Sequence, residues 1–479
     1  MISGICVNPC LLLHISVFLF QFSSIHELEY KNYLHDAIFS PISDTNLDYV
    51  PLKSSTKEML KNYYGYCPYW IDTTYYEYFQ MELLTHIAYF SIEIDPANGN
   101  LGSIPNQNRF IKIRDYGHAH DVKIHMTYII FGSFNVSAFL NNATARQNAI
   151  NNISNFITNY GIEGANIDFE FVISPVRDSF SLFISDLADE LWNYQTGQKE
   201  LYIASIAVPE WYPGYDITYL SEHSNGLFIM AYDFHWSGAS IAGPVSPCVP
   251  SSFWGQYCAA KSIGTYKNYG VSGSKIILGL PYYGYDWPTV SEDKGSSTTG
   301  SGSAVIYYYA FQNANIHGRL WDEYSLTPWY KYYSTKWHQC WFDDSVSHDI
   351  KYGMVNDSLL QGAGCWALGY DRDYDHLWNT IRRNFWDSTG IAEHEYDLPF
   401  NIETIKSIFT HELNLSKLHP TNPYDISVYD ITGTKLIHLK TKGQATITIG
   451  KKLKSGVYFL IIKNENRVIK KKIVKIKTY

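Results

Sequence analysis

Eight short apolar runs recur along residues 63–370, and the stretches between them carry helical periodicity rather than the two-residue turns of hairpins. The runs are YYGYCPYW (63–70), LTHIAYFSI (84–92), VKIHMTYIIFG (122–132), ANIDFEF (165–171), LYIASIAVP (201–209), LFIMAYDF (227–234), KIILGLPYYG (275–284) and GCWALGY (364–370). Among the connectors, 144–160 sets Ile150, Ile153, Phe156 and Ile157 on one helical face, and 177–194 does the same with Phe180, Leu182, Phe183, Leu187 and Leu191. Strand, helix and strand in repetition require parallel pairing through right-handed crossovers, and eight such units close as an α/β fold, the (β/α)8 TIM barrel. About 80 residues separate the last two runs, which predicts an insertion between strands 7 and 8. Its Gly/Ser-rich part, within EDKGSSTTGSGSAVIYYYAFQNANIHGRL (292–320), reads as a flexible loop at the barrel mouth. AVIYYYAF (304–311) is a strand or a short helix, and its tyrosines either line a cleft or form a packing face.

The fourth run belongs to GIEGANIDFEF (161–171), where Asn166, Asp168 and Glu170 alternate with Ile167, Phe169 and Phe171. Side chains alternate faces along a strand, so the three polar residues share one side. In an antiparallel sheet that side would meet water. In a barrel the helices cover the outside, the apolar residues pack against them, and the Asn-Asp-Glu face turns into a crowded interior. Carboxylates are costly there unless a site uses them. Glu170 lies nearest the C-terminal end of its strand, where barrel enzymes place their chemistry.

At 479 residues, the chain accommodates such a barrel plus an appendage. Residues 401–479 hold 15 Lys or Arg against 5 Asp or Glu, so the preceding 400 residues carry a net charge of −19. An acidic body of this kind excludes nucleic acid as a partner, because phosphate contacts need a basic surface. Aromatic residues make 16% of the chain, with 41 Tyr and 13 Trp, and their flat faces suit sugar stacking or burial of a partner. The apolar stretch from Cys10 to Phe22 has the length of a signal-peptide core rather than a membrane span, although its flank lacks Lys or Arg. Residues 1–25 are therefore expected to be a signal peptide, 26–59 a linker or pro-segment, and 60–388 the barrel. Residues 389–423 read as a linker, and 424–479, which alternate apolar with polar between Gly-containing turns, as a small antiparallel β-sandwich. Loss of the first 25 residues would leave Cys67, Cys248, Cys258, Cys340 and Cys365. Cys248 and Cys258 are spaced for a short disulfide loop, and free buried thiols are the equal alternative. His118 and His120 in GHAHDVKIH (117–125) lack a supporting carboxylate pair in sequence, so they are expected as exposed loop histidines, with no metal.

Three segments carry a resemblance. EGANIDFE (163–170) resembles the D-G-x-D-x-D-x-E signature of glycoside hydrolase family 18, the chitinase family of (β/α)8 barrels. MAYDFH (230–235) is similar to the family's Met-x-Tyr-Asp motif on the sixth strand, and GCWALGYD (364–371) to the eighth strand, whose Trp floors the sugar subsite. GLPYYGYDW (279–287) looks like the seventh strand in its spore-peptidoglycan form. The resemblance spans roughly residues 60–388. It implies a secreted hydrolase without cofactor that cleaves β-1,4 bonds of N-acetylglucosamine polymers with retention, the substrate's own acetamido group acting as nucleophile. It further implies Glu170 as general acid and base, Asp168 as the group that orients the acetamido N–H, and Tyr232 as hydrogen-bond donor to the acetamido oxygen. Asp233 would hold the distorted sugar ring, Trp366 would stack beneath it, and Met230 and Asn166 would complete the binding surface. Glu163 and Asn166 depart from the signature by replacing its first and middle Asp, and YIIFGSFN (128–135) departs from the usual Ser-x-Gly-Gly of the third strand. Rival readings are an endo-β-N-acetylglucosaminidase acting on N-glycans, a peptidoglycan-directed glucosaminidase, and a non-catalytic lectin. The tail, through ISVYDITGTKL (426–436), LKSGVYFLII (453–462) and VIKKKIVKIK (468–477), resembles the sorting domain of the type IX secretion system of Bacteroidetes. That resemblance implies the secretion machinery as a partner and a secreted or cell-surface protein, and the chain is expected to be a monomer.

Overall fold

The computed structural model describes residues 23–54, 59–193 and 198–386, and then 408–409, 412–416, 424–430, 434–441, 446–464 and 467–475. Residues 1–22, the body of the expected signal peptide, lie outside the described residues. The chain divides into two compact units, Met1–Ser388 and Thr389–Tyr479.

In the first unit eight parallel strands close into a barrel: β1 Asn62–Pro68, β2 His86–Glu93, β3 Lys123–Ile130, β4 Gly164–Phe169, β5 Glu200–Ile206, β6 Gly226–Met230, β7 Ile276–Pro281 and β8 Gly362–Trp366. Closure is made by β8, which pairs with β1 and with β7. The two connectors with the clearest apolar periodicity are helices, Ala143–Tyr160 and Arg177–Trp192. The first starts where the Asn142 side chain accepts the Ala145 N–H and stops at Gly161, whose φ of 62° is a left-handed conformation that glycine takes without a Cβ penalty. Gly164 then opens β4 where a Cβ would lie 2.2 Å from the carbonyl oxygen of Glu200, so only glycine admits the neighbouring strand.

The outward face of β4 packs as the alternation requires. The Phe169 ring stacks on Phe183 at 5.6 Å between centroids and meets Phe139 edge-on at 5.5 Å. The interior is filled by side chains rather than open, with Tyr64, Tyr66, Tyr202 and Phe228 in mutual ring contact. The insertion between β7 and β8 is a five-stranded antiparallel sheet built from Tyr283–Thr289, Ser303–Ile306, Leu320–Asp322, Thr327–Tyr333 and Trp337–Trp341, together with the helix Tyr307–His317. AVIYYYAF thus divides between a strand end and a helix start. Its tyrosines take different places: Tyr307 is buried against Phe311, Tyr308 packs on Tyr374, and Tyr309 is exposed beside Arg372.

The second unit is a five-stranded sheet, antiparallel apart from the pairing of Ile408–Phe409 with Arg467–Lys475, beside a two-stranded sheet. Leu415, Ile426, Val428, Leu460 and Ile473 are in its core. The strands Ile408–Phe409 and Leu413–Ser416 lie within the stretch assigned to a linker, where four or fewer residues per strand leave too little alternation to read. All five described cysteines are free and buried, and Cys248 and Cys258 are not bonded to each other. Among the described residues no helix is long and apolar enough to cross a membrane.

Phe169 is the residue that couples β4 to the helical shell. Its replacement by Ala should cost about 3–5 kcal/mol of unfolding free energy, the usual effect of emptying a phenylalanine site. Urea denaturation of the variant measures this, and an unchanged midpoint would show that β4 is not held by its outer face.

Candidate active site

Asn166 and Asp168 lie on β4 and Glu170 just beyond its end, all three at most 1% exposed. Asn166 Oδ1 accepts a hydrogen bond from Tyr66 Oη at 3.0 Å, which ties the middle of β4 to β1 across the barrel. From the end of β6 come Met230, Tyr232 and Asp233, and Trp366 is the last residue of β8. Asp233 has a φ of 59°, a left-handed backbone that a short polar side chain tolerates. Its Oδ1 accepts from Tyr283 Oη at 2.5 Å, so the first strand of the insertion helps to fix it. Every site residue inferred from the sequence therefore sits at the C-terminal side of the barrel or, for Asn166, one layer beneath it.

The surroundings of these residues were not legible in the sequence. Residues Ile25–Tyr33 form a helix whose first turn enters the barrel mouth. His26 Nδ1 lies 2.7 Å from Asp168 Oδ2, and His26 Nε2 lies 2.8 Å from Tyr232 Oη. The imidazole stacks on Trp366 with centroids 3.7 Å apart and planes 25° from parallel. Glu29 Oε2 accepts from Trp366 Nε1 at 2.7 Å and from Tyr370 Oη at 2.6 Å, and the backbone N–H of Ile25 donates to Asp233 Oδ2 at 3.2 Å. A signal for this helix exists: Ser24-Ile25-His26-Glu27 has the S-x-x-E form of a helix start, and the Ser24 side chain does accept the Glu27 N–H. In sequence this stretch divides between the end of a signal peptide (1–25) and a linker or pro-segment (26–59), neither of which anticipates a helix seated in the barrel mouth.

Enclosure sets the protonation of the site. Burial pushes the carboxyls of Asp168 and Glu170 well above the usual range, and the charge of Asp168 raises Glu170 further. Neither carboxyl oxygen of Glu170 has a hydrogen-bond partner of good geometry, and His26 Nδ1 stands 3.5 Å from its Oε1. Asp233 is pushed up to about 7 by burial, against the opposing hydrogen bond from Tyr283. His26 is pulled down to about 4 by burial, so the ring is neutral near pH 7 and carries one N–H. Both ring nitrogens are then hydrogen-bonded, with Nδ1–H donating to Asp168 Oδ2 and Tyr232 O–H donating to Nε2, while Asp168 Oδ1 is buried without a hydrogen-bond partner. Beside the helix a cleft remains, lined by Glu170, Met230, Tyr232 and Asp233, with Tyr212 and the 54% exposed Trp211.

The family 18 sequence profile, described as glycosyl hydrolases family 18, matches residues 62–371. The chain belongs to glycoside hydrolase family 18. A second profile, the secretion system C-terminal sorting domain, matches residues 406–477, which directs the protein through type IX secretion to the cell surface or the extracellular space. YdhD of Bacillus subtilis, assigned as a sporulation-specific glycosylase, is 33% identical over 51% of this chain. The alignment spans only 56% of YdhD. A cortical fragment-lytic enzyme of Bacillus anthracis is 24% identical over 63% of this chain and 68% of its own length. In fold, a group IV chitinase of Ostrinia furnacalis solved with allosamidin superposes with a TM-score of 0.59 at 20% identity, covering 67% of this chain and 98% of that one.

The histidines expected to be exposed loop residues separate. His118 is on the helix Gln107–Ala119 and buried, its Nε2 3.0 Å from Glu163 Oε2, whereas His120 is exposed. Glu163 also accepts the Ile124 N–H at 2.9 Å. The first acidic position of the family 18 signature is thus occupied here by a group that joins β4 to β3 at the barrel's lower rim, far along the strand from Glu170. At the same end, His86 and His125 face Glu200, whose carboxylate is also paired with Lys123 and needs no ion to balance it. Glu163→Ala should therefore cost about 1–3 kcal/mol of stability by orphaning a backbone N–H and His118. It should leave glycosidase activity per folded molecule unchanged, and a selective loss of turnover would place Glu163 in the chemistry instead.

Proposed function

We propose that this family 18 hydrolase cleaves β-1,4 bonds on the reducing side of N-acetylglucosamine residues, as a chitinase does, with the substrate's acetamido group as the nucleophile. The observation that carries the reading is the origin of Asp168 and Glu170 from one strand end, two residues apart on one side. A pair that flanked the bond from opposite faces would allow a carboxylate nucleophile. From one side, Glu170 reaches the glycosidic oxygen and Asp168 the acetamido group, and the carbonyl oxygen of that group attacks the anomeric carbon. The glycosidic C–O bond breaks as Glu170 gives its proton to the leaving oxygen, and an oxazolinium ion forms. Water then opens that ion as Glu170 takes the proton back. The proton must be on Glu170 at the start, which its burial and the neighbouring Asp168 charge favour. Tyr232 donates to the acetamido oxygen, Asp233 bonds the distorted ring, and Trp366 stacks under it.

A second reading is favoured by one observation: the relatives assigned as a sporulation-specific glycosylase and a cortical fragment-lytic enzyme would fit a peptidoglycan glycan strand as substrate, with the same bond chemistry. Chitin oligomers, cell-wall sacculi and N-glycoproteins offered side by side distinguish the substrates. Release of a fluorescent aglycone from chitobiose and chitotriose glycosides tests the mechanism. Glu170→Gln should lower kcat by about 10²–10⁴-fold, the usual worth of a general acid, with oligosaccharide binding kept. Binding without turnover in the unsubstituted protein would move the reading to a lectin.

Asn166 replaces a carboxylate that would otherwise press on Asp168 and Glu170. Asn166→Asp should raise the apparent pKa of the acid, because a further nearby negative charge disfavours its ionised form. The protonated form then persists to higher pH, and the alkaline limb of the kcat profile should move up by about one pH unit. A limb that stayed in place or moved down would mean that the third carboxyl is neutral or that Glu170 does not set that limb.

A further inference from the structure

The residues that would hold the sugar are already bonded to the chain itself. Asp168 and Tyr232 are bonded to His26, Asp233 to the backbone of Ile25, and Trp366 to Glu29 while it stacks on His26. Trp366 is 0% exposed, so it offers no surface on which a sugar ring could stack. We propose that residues 24–36 are an intramolecular inhibitor, with His26 occupying the acetamidosugar subsite, and that the enzyme becomes competent when this segment is displaced or cut away. The proposal rests on the reading of Asp168, Tyr232 and Trp366 as that subsite.

The chemistry of the imidazole fits the place. An acetamido group is flat and offers one N–H donor and one acceptor on separate atoms. A neutral imidazole is flat and offers the same pair, Nδ1–H toward Asp168 and Nε2 toward Tyr232, while its face lies on Trp366. Glu29 adds a polar group at the edge of the same platform, bonded to Trp366 Nε1 and Tyr370 Oη. Ile25 and Tyr30 are buried with them. An ordinary packing helix would offer apolar side chains to a barrel mouth. This one inserts a histidine and a glutamate against the carboxyl and hydroxyl groups of the site.

The seat is built to be left. Burial holds Glu29 up at about 7 and His26 down at about 4, so near neutrality the imidazole is uncharged and Glu29 keeps its proton part of the time, whereas in water Glu29 would be ionised at neutrality and His26 would charge in mild acid. From the last turn of the helix the chain is exposed, at Lys31 through Asp36 and at most positions through Val50. It is tied to the barrel at intervals, by the pairing of Phe39–Ser40 with Ile104–Pro105, by the Ser43 N–H to Tyr160 Oη at 3.0 Å, by the Leu47 N–H to Asn159 O at 2.9 Å, and by Arg114 and His118, which donate to the carbonyls of Asp48 and Val50. Between these ties Pro41 and Asp44, Thr45 and Asn46 are exposed and accessible to a protease.

The test uses the full chain with a specific-protease site placed in the exposed stretch 41–46. Activity on the chitotriose glycoside is measured before and after cutting and removal of the released piece, and a synthetic peptide of residues 24–36 is then titrated back. The expected result is a rise in kcat/KM of roughly tenfold or more on cutting, reversed competitively by the peptide, with the His26→Ala peptide at least about tenfold weaker. The uncut His26→Ala and Glu29→Ala variants should each be more active than the parent chain. Equal activity before and after cutting, with no peptide binding, overturns the proposal and leaves the assigned function standing. If neither form turns over any glycan, binding of the peptide to the cut protein, read by tryptophan fluorescence, decides the matter without a substrate. Binding that needs His26 upholds the inhibitor and sinks the substrate reading, and absence of binding sinks the inhibitor.

Discussion

Closure of the barrel is the constraint from which the site follows. Once β8 pairs with β1 and β7, every strand has an inside and an outside, and the period of two leaves β4 no freedom over which residues go where. Phe169 must meet the helices, so Asn166 and Asp168 must meet the interior, and Glu170 follows on the same side at the rim. Gly164 permits the close strand approach that this packing needs. A slip by one residue would put three polar groups among the rings of Phe139, Phe180 and Phe183, at a cost that no surface contact could offset.

The interior that receives these groups is filled with rings, and this decides what the carboxyls do. In water Asp168 and Glu170 would both ionise at neutral pH. Inside the closed site, burial penalises each charge and their proximity penalises the pair, so the pair retains a proton, as the proposed general-acid role of Glu170 requires. Tyr283 shows how the insertion contributes: its hydroxyl reaches from the added sheet to Asp233 and supports the ionised form of a carboxyl that burial pushes the other way. The insertion is thus part of the site's electrostatics as well as its wall.

The barrel, the place of the insertion and the convergence of the β4, β6 and β8 residues were legible because each rests on a period or a short motif that local sequence carries. Helices 143–160 and 177–192 declared themselves by apolar spacing and, for the first, by Asn142 and Gly161 at its ends. What failed to show was whatever depends on contact between distant segments. His118 looked like a loop residue because its partners, Glu163 and the Val50 carbonyl, are 45 and 68 positions away. The helix Ile25–Tyr33 was hidden because its partners at the ends of β4, β6 and β8, Asp168, Tyr232 and Trp366, lie 142, 206 and 337 positions away, and an apolar run beside it offered a simpler account. The two short strands before residue 424 escaped because pairing, and not pattern, makes them strands.

A tethered inhibitor also accounts for why so modest a helix suffices. A segment joined by a short chain faces its site at an effective concentration on the order of 1 mM. At that concentration a helix whose free affinity is only about 10 μM is seated roughly 99% of the time, so no tight interface is needed and two polar side chains against the site are enough. Cutting the strap turns the same contact into a bimolecular one, and at about 1 μM protein it is mostly empty. The gain comes from loss of the tether and not from any change in the barrel, which leaves the geometry of Asp168, Glu170 and Trp366 ready for substrate as soon as His26 leaves the tryptophan face.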